Sequence, residues 1–192
     1  MNLKRIHHVA YRCNDAKETV DFYRGVLGME FQLAFAEDTV PSTKAPDPYM
    51  HVFLDAGMGN VLAFFELPSA PPMGKDPNTP AWVQHIAFEV ADADALADAR
   101  QRVQAAGIDV IGPVDHGLFD SIYFFDPNGH RLEIAANKGS DEDRARAHAV
   151  AEDMLEEWTR TKRAPKHARW LHAPTGEGQP DPNHAAKANA DA

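Results

Sequence analysis

The chain has 192 residues, of which 44% are hydrophobic, and its formal net charge is −10. Because the phosphate backbone of a nucleic acid would repel this surface, we expect no nucleic-acid partner. Cys13 is the single cysteine, which excludes an internal disulfide and favours a reducing, cytoplasmic compartment. No apolar stretch reaches the roughly eighteen residues of a membrane span, and the N-terminus does not resemble a signal peptide, so we expect no membrane partner.

The N-terminal part of the chain predicts a strand, a helix and two further strands. Residues 6–12 (IHHVAYR) form a short apolar run that contains two histidines, as a strand would. A segment with helical periodicity follows and should end at Gly28, because glycine favours the left-handed conformation of a helix C-cap. Strand-like sequence at 49–54 and 61–67 flanks a glycine-rich turn at 56–60, which is typical of a hairpin.

The same order of elements returns in the second half of the chain. Residues 84–90 (QHIAFEV) open it as a strand, and the helical segment that follows should end at Gly107. Strands at 121–125 and 130–135 then flank the turn DPNG at 126–129. We interpret the repeated unit as β-α-β-β-β, in which one strand of each copy is not assigned to a particular segment.

This repetition predicts an α+β fold in which two βαβββ modules, 1–67 and 81–138, pair into a cleft-forming mixed β-sheet. Five prolines in 68–80 indicate the linker between them. An acidic N-terminus and an apolar stripe predict one C-terminal helix within 139–163. The remainder, 164–192, is poor in apolar residues, and we expect an extended or mobile tail.

Three residues of these modules are candidate metal ligands. His8 and His85 occupy the same place in the two modules, near the start of the first strand, so they can point into one shared cleft. Glu133 lies on the last strand of the second module. A single strand histidine is more often structural, but two equivalent histidines and a carboxylate form a facial triad that can hold a divalent metal.

The paired modules and their openings, HHVAY and QHIAF, resemble the glyoxalase, bleomycin-resistance and extradiol-dioxygenase superfamily, also called vicinal oxygen chelate proteins. The resemblance covers residues 6–137. Within it, VDHGLFDSIYFFDPNGHRLE (114–133) resembles the pattern of ring-cleaving extradiol dioxygenases.

That resemblance implies particular roles for five residues. His8, His85 and Glu133 would bind the metal, with Fe(II) favoured and Mn, Zn or Ni as alternatives. His116 and Tyr123 would hydrogen-bond the hydroxyl oxygens of the substrate, although position alone would make them a surface loop histidine and a core tyrosine. The implied partners are a small aromatic diol and O₂, and the implied assembly is a homodimer.

Two other functions are consistent with the same family. A glyoxalase-type lyase or isomerase would take a fourth ligand from the last strand of the first module, where Glu66 is the only acid. Aligning Gly59 with Gly129 puts Ala63 opposite Glu133, and Glu66 three residues later should face the other side of the sheet. A non-catalytic drug-binding protein would lack the ligand set.

The chain departs from the dioxygenase pattern at one position. Two-domain dioxygenases of the family have a proton-transferring histidine near the end of the first catalytic module, and this chain has Glu66 and Leu67 there. This chain offers His51 or Glu66 as substitutes, and the tail histidines are weaker candidates: His167, His172 and His184.

Overall fold

Two four-stranded sheets and four helices form the part of the chain that the structure, a computed structural model, describes: residue 1 and residues 3–166. The first repeat contains β1 (Val9–Cys13), α1 (Ala16–Gly25), β2 (Glu30–Glu37), β3 (Tyr49–Asp55) and β4 (Val61–Glu66). The second contains β5 (His85–Val90), α2 (Ala93–Ala105), β6 (Ile111–Asp115), β7 (Phe119–Phe125) and β8 (Arg131–Asn137). The α+β class and the doubled βαβββ order are thus confirmed.

Each repeat has its own sheet, with strand orders β1-β4-β3-β2 and β5-β8-β7-β6. In the first sheet β1 runs parallel to β4, whereas β3 is antiparallel to both of its neighbours, β4 and β2. The first and last strands of a repeat are therefore adjacent, although the whole unit separates them in sequence. This adjacency places residues from the two ends of each repeat side by side.

The sequence around α1 explains where this helix begins and ends. A carboxylate oxygen of Asp15, the N-cap, accepts a hydrogen bond from the backbone N–H of Glu18 at 2.8 Å. The helix ends at Gly25, and Gly28 then takes a left-handed conformation with φ of 72°, which redirects the chain as predicted. Its buried side packs on the sheet, where the ring of Tyr23 lies 5.0 Å from that of Phe64.

The two faces of the first sheet differ in character. The helix face packs against α1 and is buried; it carries Cys13, Val52, Leu54, Leu62 and Phe64. Burial raises the pKa of the Cys13 thiol to about 11, so this cysteine is a core residue and not a nucleophile. The opposite face, called the histidine face below, carries Ala10, Arg12, Leu33, Phe35, His51, Phe53, Ala63 and Phe65.

The turn between β7 and β8 contacts the first repeat. The hydroxyl of Tyr23 donates to Asp126 at 3.1 Å, and the backbone N–H of Asn14 donates to the Asn128 side chain at 2.8 Å. These contacts group the turn with the first repeat in one of two compact units. The first unit comprises Met1–Ile86, Arg102–Asp109 and Phe125–Leu132, and the second comprises Ala87–Gln101, Val110–Phe124 and the described residues from Glu133 onward.

The C-terminal region forms two helices where the sequence predicts one. Ser140 begins α3 (Asp141–Ala149) with a capping box that includes Asp143, and α4 (Ala151–Thr161) follows. The break lies at Val150, whose ψ of 2° is outside the helical range. The predicted tail, with its three histidines, falls mostly in residues 167–192, outside the described part of the chain. Within that part, no helix combines the length and apolarity needed to cross a bilayer.

Candidate metal and substrate site

The carboxylate of Glu133 is held inside the second sheet. Its side chain on β8 is only 3% exposed, and one of its oxygens accepts a short hydrogen bond from the hydroxyl of Ser121 on β7. Ser121 is itself fully buried. A buried carboxylate requires polar or cationic partners, and the Ser121 hydroxyl is one that fixes the orientation of this carboxylate.

The structure brings the two predicted substrate-binding residues together. The Nε2 atom of His116 and the hydroxyl oxygen of Tyr123 lie 2.7 Å apart, within hydrogen-bond distance. Tyr123 is two residues beyond Ser121 on β7, so its side chain shares the sheet face of Ser121 and Glu133. Tyr123 is 7% exposed whereas His116 is half-buried, stacked on Phe119. The pair therefore connects a buried hydroxyl to a more accessible imidazole.

The two predicted histidine ligands stand at the starts of their strands. His8 directly precedes β1 and is exposed; its ring lies 5.9 Å from that of Phe53, and its Nδ1 is 2.8 Å from the Nδ1 of His7. His85 opens β5, and its Nδ1 lies 3.1 Å from the carbonyl oxygen of Val83. A carbonyl can only accept, so this contact places the proton of a neutral His85 on Nδ1 and a lone pair on Nε2, as ligation requires.

His85 also lines a cleft of about 590 Å³ within the first unit. This volume lies in the range that accommodates small molecules. The cleft is bordered by residues of both repeats and of the linker, among them Tyr11, Lys75, Phe125, His130 and Arg131.

The structure does not gather the three predicted ligands into one cluster. In residues 1 and 3–166 no group of three or more His, Cys, Asp or Glu side chains is arranged to hold a metal ion. The donor set is nevertheless chemically suited to a divalent metal, since neutral imidazoles and a carboxylate are ligands of Fe(II), Mn, Zn and Ni. The triad of His8, His85 and Glu133 thus remains a proposal that rests on donor chemistry.

Comparison with known families decides the wider relationship. The chain matches the family described as the glyoxalase/bleomycin resistance protein/dioxygenase superfamily over residues 5–134, more than half of its length. It belongs to this superfamily.

Curated members of the superfamily that resemble this chain include different enzymes. The putative ring-cleaving dioxygenase MhqA of Bacillus subtilis is 28% identical over 142 residues, 72% of this chain and 42% of the relative. A lactoylglutathione lyase of Neisseria meningitidis is 27% identical over 154 residues, covering 72% of this chain and 94% of the lyase. The chain thus spans about two fifths of the dioxygenase but nearly all of the lyase.

Solved structures of the superfamily share the fold. The protein SMU.1112c is 26% identical, with a TM-score of 0.53 over 70% of this chain and 99% of that protein. A glyoxalase family protein from Enterococcus faecalis gives the same identity, TM-score and coverage. These likenesses support the two-module architecture and leave the reaction type undecided.

Glu66, the candidate fourth ligand of a superfamily lyase, faces the helix side of the first sheet. It pairs in register with Cys13, which is buried under α1, and one of its carboxylate oxygens accepts a hydrogen bond from the backbone N–H of Ala16 at 2.7 Å. Ala63, three residues earlier, lies on the histidine face. The register therefore agrees with the prediction that Glu66 faces away, and its hydrogen bond satisfies the first turn of α1.

We expect Glu66→Gln to leave the metal content unchanged and to lower the free energy of unfolding by about 1 kcal/mol, because a neutral amide interacts less well with a helix N-terminus. Metal analysis and urea denaturation measure the two effects. Loss of metal in this variant would contradict the three-ligand site and favour a lyase.

His51, the other substitute considered for a proton-handling group, lies on the histidine face. It is 9% exposed, and its ring stacks on that of Phe65 with centroids 3.5 Å apart. The ring of His8 lies 6.3 Å away. Burial, and then the proximity of His8, lower the pKa of His51 below its ordinary value of 6.5, so its imidazole is mostly neutral at pH 7.

Two polar residues near the site were not singled out from the sequence. Ser121 precedes Tyr123 by two residues, and Arg12 follows His8 by four, so period-two alternation would have placed each on the relevant face. Their contacts, however, depend on cross-strand register, which the sequence pattern does not supply.

Proposed function

We propose that the protein is an Fe(II)-dependent extradiol dioxygenase that opens the ring of a catechol-type diol with O₂. The observation that carries this proposal is the hydrogen-bonded pair of His116 and Tyr123, because Tyr123 on β7 shares a sheet face with Glu133 on the neighbouring strand β8. A polar pair beside a metal-ligating carboxylate suits a substrate that has two adjacent hydroxyl groups. The similarity to the ring-cleaving dioxygenase MhqA supports the same reaction class.

In this proposal His8, His85 and Glu133 hold the iron, and they come from one chain or from two chains of a homodimer. When bound, Fe(II) would supply coordination sites for the diol and for O₂ and would transfer electrons between them. Ser121 keeps the Glu133 carboxylate in a fixed orientation, and the Val83 carbonyl does the same for the His85 ring.

His116 and Tyr123 act on the substrate. The Tyr123 hydroxyl hydrogen-bonds a diol oxygen and so sets the orientation of the ring. A proton released from the diol passes through this hydroxyl to the Nε2 atom of His116, which is 2.7 Å away and nearer to solvent. The low exposure of Tyr123 excludes water from the oxygen that it contacts.

Oxygen uptake tests the reaction directly. After anaerobic reconstitution with Fe(II), a panel of catechols should be screened in air by oxygen electrode and by absorbance of the ring-opened product. We expect uptake of one O₂ per diol consumed, because ring cleavage incorporates both oxygen atoms. The protein incubated with Zn, which does not cycle between oxidation states, is the matched control and should show no uptake.

A glyoxalase-type lyase is the second candidate, since the region matched in this chain covers 94% of the Neisseria lyase. Turnover of a methylglyoxal–glutathione adduct with Zn or Ni, and no oxygen uptake with any catechol, would replace the dioxygenase by the lyase. A drug-binding protein without catalysis would take up no metal in either experiment.

A further inference from the structure

Two rows of side chains cross the histidine face of the first sheet. Cross-strand register aligns Arg12, Phe65, His51 and Phe35 in one row. The neighbouring row, toward the start of β1, contains Ala10, Ala63, Phe53 and Leu33. Residues directly opposite each other on paired strands point to the same side of the sheet. Arg12 and His51 therefore flank Phe65 on one face, with one strand between them.

Both polar residues of the first row have an atom without a partner. The Nε atom of Arg12 and the Nε2 atom of His51 are shielded from solvent and have no hydrogen-bond partner among the residues that the structure describes. His51 as a whole is more than nine-tenths buried. Arg12 is half-buried, and its Nη2 donates to the carbonyl of Pro71 at 2.5 Å, which ties the guanidinium to the linker. Shielded polar atoms without partners are unfavourable, which indicates a missing acceptor.

We infer that Arg12 and His51 form a subsite for a carboxylate carried by an aromatic ligand. The guanidinium offers a positive charge and a planar fork of donors, which match a carboxylate in shape and charge. The imidazole of His51 adds a hydrogen-bond donor. Phe53 and Phe35 lie beside the subsite, so an aromatic ring would contact them edge-on or face-on.

Spacing along β1 sets the length of this ligand. His8 and Arg12 are four residues apart, about 13 Å between Cα atoms at strand rise, with the small side chain of Ala10 between them. A molecule that has its diol near His8 and its carboxylate at Arg12 would be a catechol with a short acidic side chain, such as an arylpropanoate. Only the identification of this ligand with the diol substrate rests on the proposed function.

Binding to metal-free, full-length protein tests the subsite without turnover. The probe is 3-phenylpropanoate, and its amide is the uncharged control, both measured by isothermal titration. We expect the acid to bind at least about tenfold more tightly than the amide, and Arg12→Gln to weaken the acid by about ten- to a hundredfold. Arg12→Lys should restore part of the loss, and His51→Phe, which keeps the stacking on Phe65, should weaken binding by about three- to tenfold.

Arg24→Gln removes the same charge from the exposed side of α1 and should leave binding unchanged. Thermal melts show whether each variant is folded. Equal affinity for acid and amide, no effect of Arg12→Gln, or displacement of the probe by an equal concentration of inorganic phosphate would each overturn the subsite.

A second experiment measures turnover by the Fe(II) protein and compares 3-(3,4-dihydroxyphenyl)propanoate with its methyl ester. The acid should be preferred in kcat/KM by about tenfold or more, and Arg12→Gln should remove the preference. If no catechol is oxidised but probe binding depends on Arg12, the dioxygenase assignment fails and the subsite remains. If both compounds are oxidised at equal rates and Arg12→Gln has no effect, the dioxygenase assignment stands and the subsite fails.

Discussion

Replacing Glu133 with alanine should abolish stoichiometric binding of Fe(II) and reduce the rate of ring cleavage by well over a hundredfold. Loss of a residue that only supports a ligand typically costs up to about a hundredfold, and loss of a ligand itself should cost more. The reason is that Glu133 is the only carboxylate of the proposed triad and the only anionic donor to the metal. His85→Ala should have an effect of the same size, because its Nε2 would be a direct ligand. Metal analysis after anaerobic reconstitution and gel filtration measures binding, and oxygen uptake measures the reaction.

Glu89→Ala is the matched control, since it removes a carboxylate from β5 that accepts a hydrogen bond from the side-chain amide of Asn137 at 2.6 Å. This variant should keep its metal. Circular dichroism must show that the Glu133 variant is folded, because its side chain is buried against Ser121. A Glu133→Ala protein that unfolds with or without metal would identify Glu133 as a core residue, and full metal content in His85→Ala would exclude that ligand.

Tyr123→Phe should lower kcat by about 10²- to 10³-fold while the iron content stays near that of the unaltered protein. The change removes only the hydroxyl that contacts His116 Nε2, and it leaves the ring in the core. His116→Ala should act similarly. Because the two residues are proposed to move one proton in sequence, the double variant should be little slower than either single variant.

Steady-state kinetics measure the loss of kcat in these variants, and metal analysis measures their iron content. Tyr49→Phe removes a hydroxyl from β3 and serves as the control, with kcat expected to stay within about twofold. Iron loss in Tyr123→Phe would indicate that the hydroxyl supports the metal and not the substrate. Additive losses in the double variant would show that the two residues act independently.

The repeat pattern was sufficient to predict the class of fold, but two strands were not located from the sequence. β6 (IGPVD) contains Gly112 and Pro113, residues that normally weaken a strand assignment, and its pairing with β7 shifts register between Ile111 and Val114. β2 does carry a period-two pattern of Phe31, Leu33 and Phe35 that would have located it, although the strand is exposed along its whole length. Both strands are at sheet edges, where pairing on one side suffices.

Alternation along a strand was sufficient to predict which face of the sheet Glu66 occupies. An odd spacing from Ala63 placed Glu66 on the opposite face, and the register of β4 agrees. The roles of Ser121 and Arg12 depend on which residues of other strands lie opposite them, a property of tertiary pairing. Assembly of His8 with His85 and Glu133 depends on how separate elements pack, which no local pattern encodes.

The turn that precedes Glu133 has a consequence for whether the repeats can be separated. Three hydrogen bonds join this turn to the first repeat. They pair Tyr23 with Asp126, Asn14 with Asn128, and the carbonyl of Arg12 with His130. A polypeptide cut between the repeats would leave these polar groups to water or to a foreign partner. We therefore expect the two repeats, expressed as separate polypeptides, to be less stable than the intact chain.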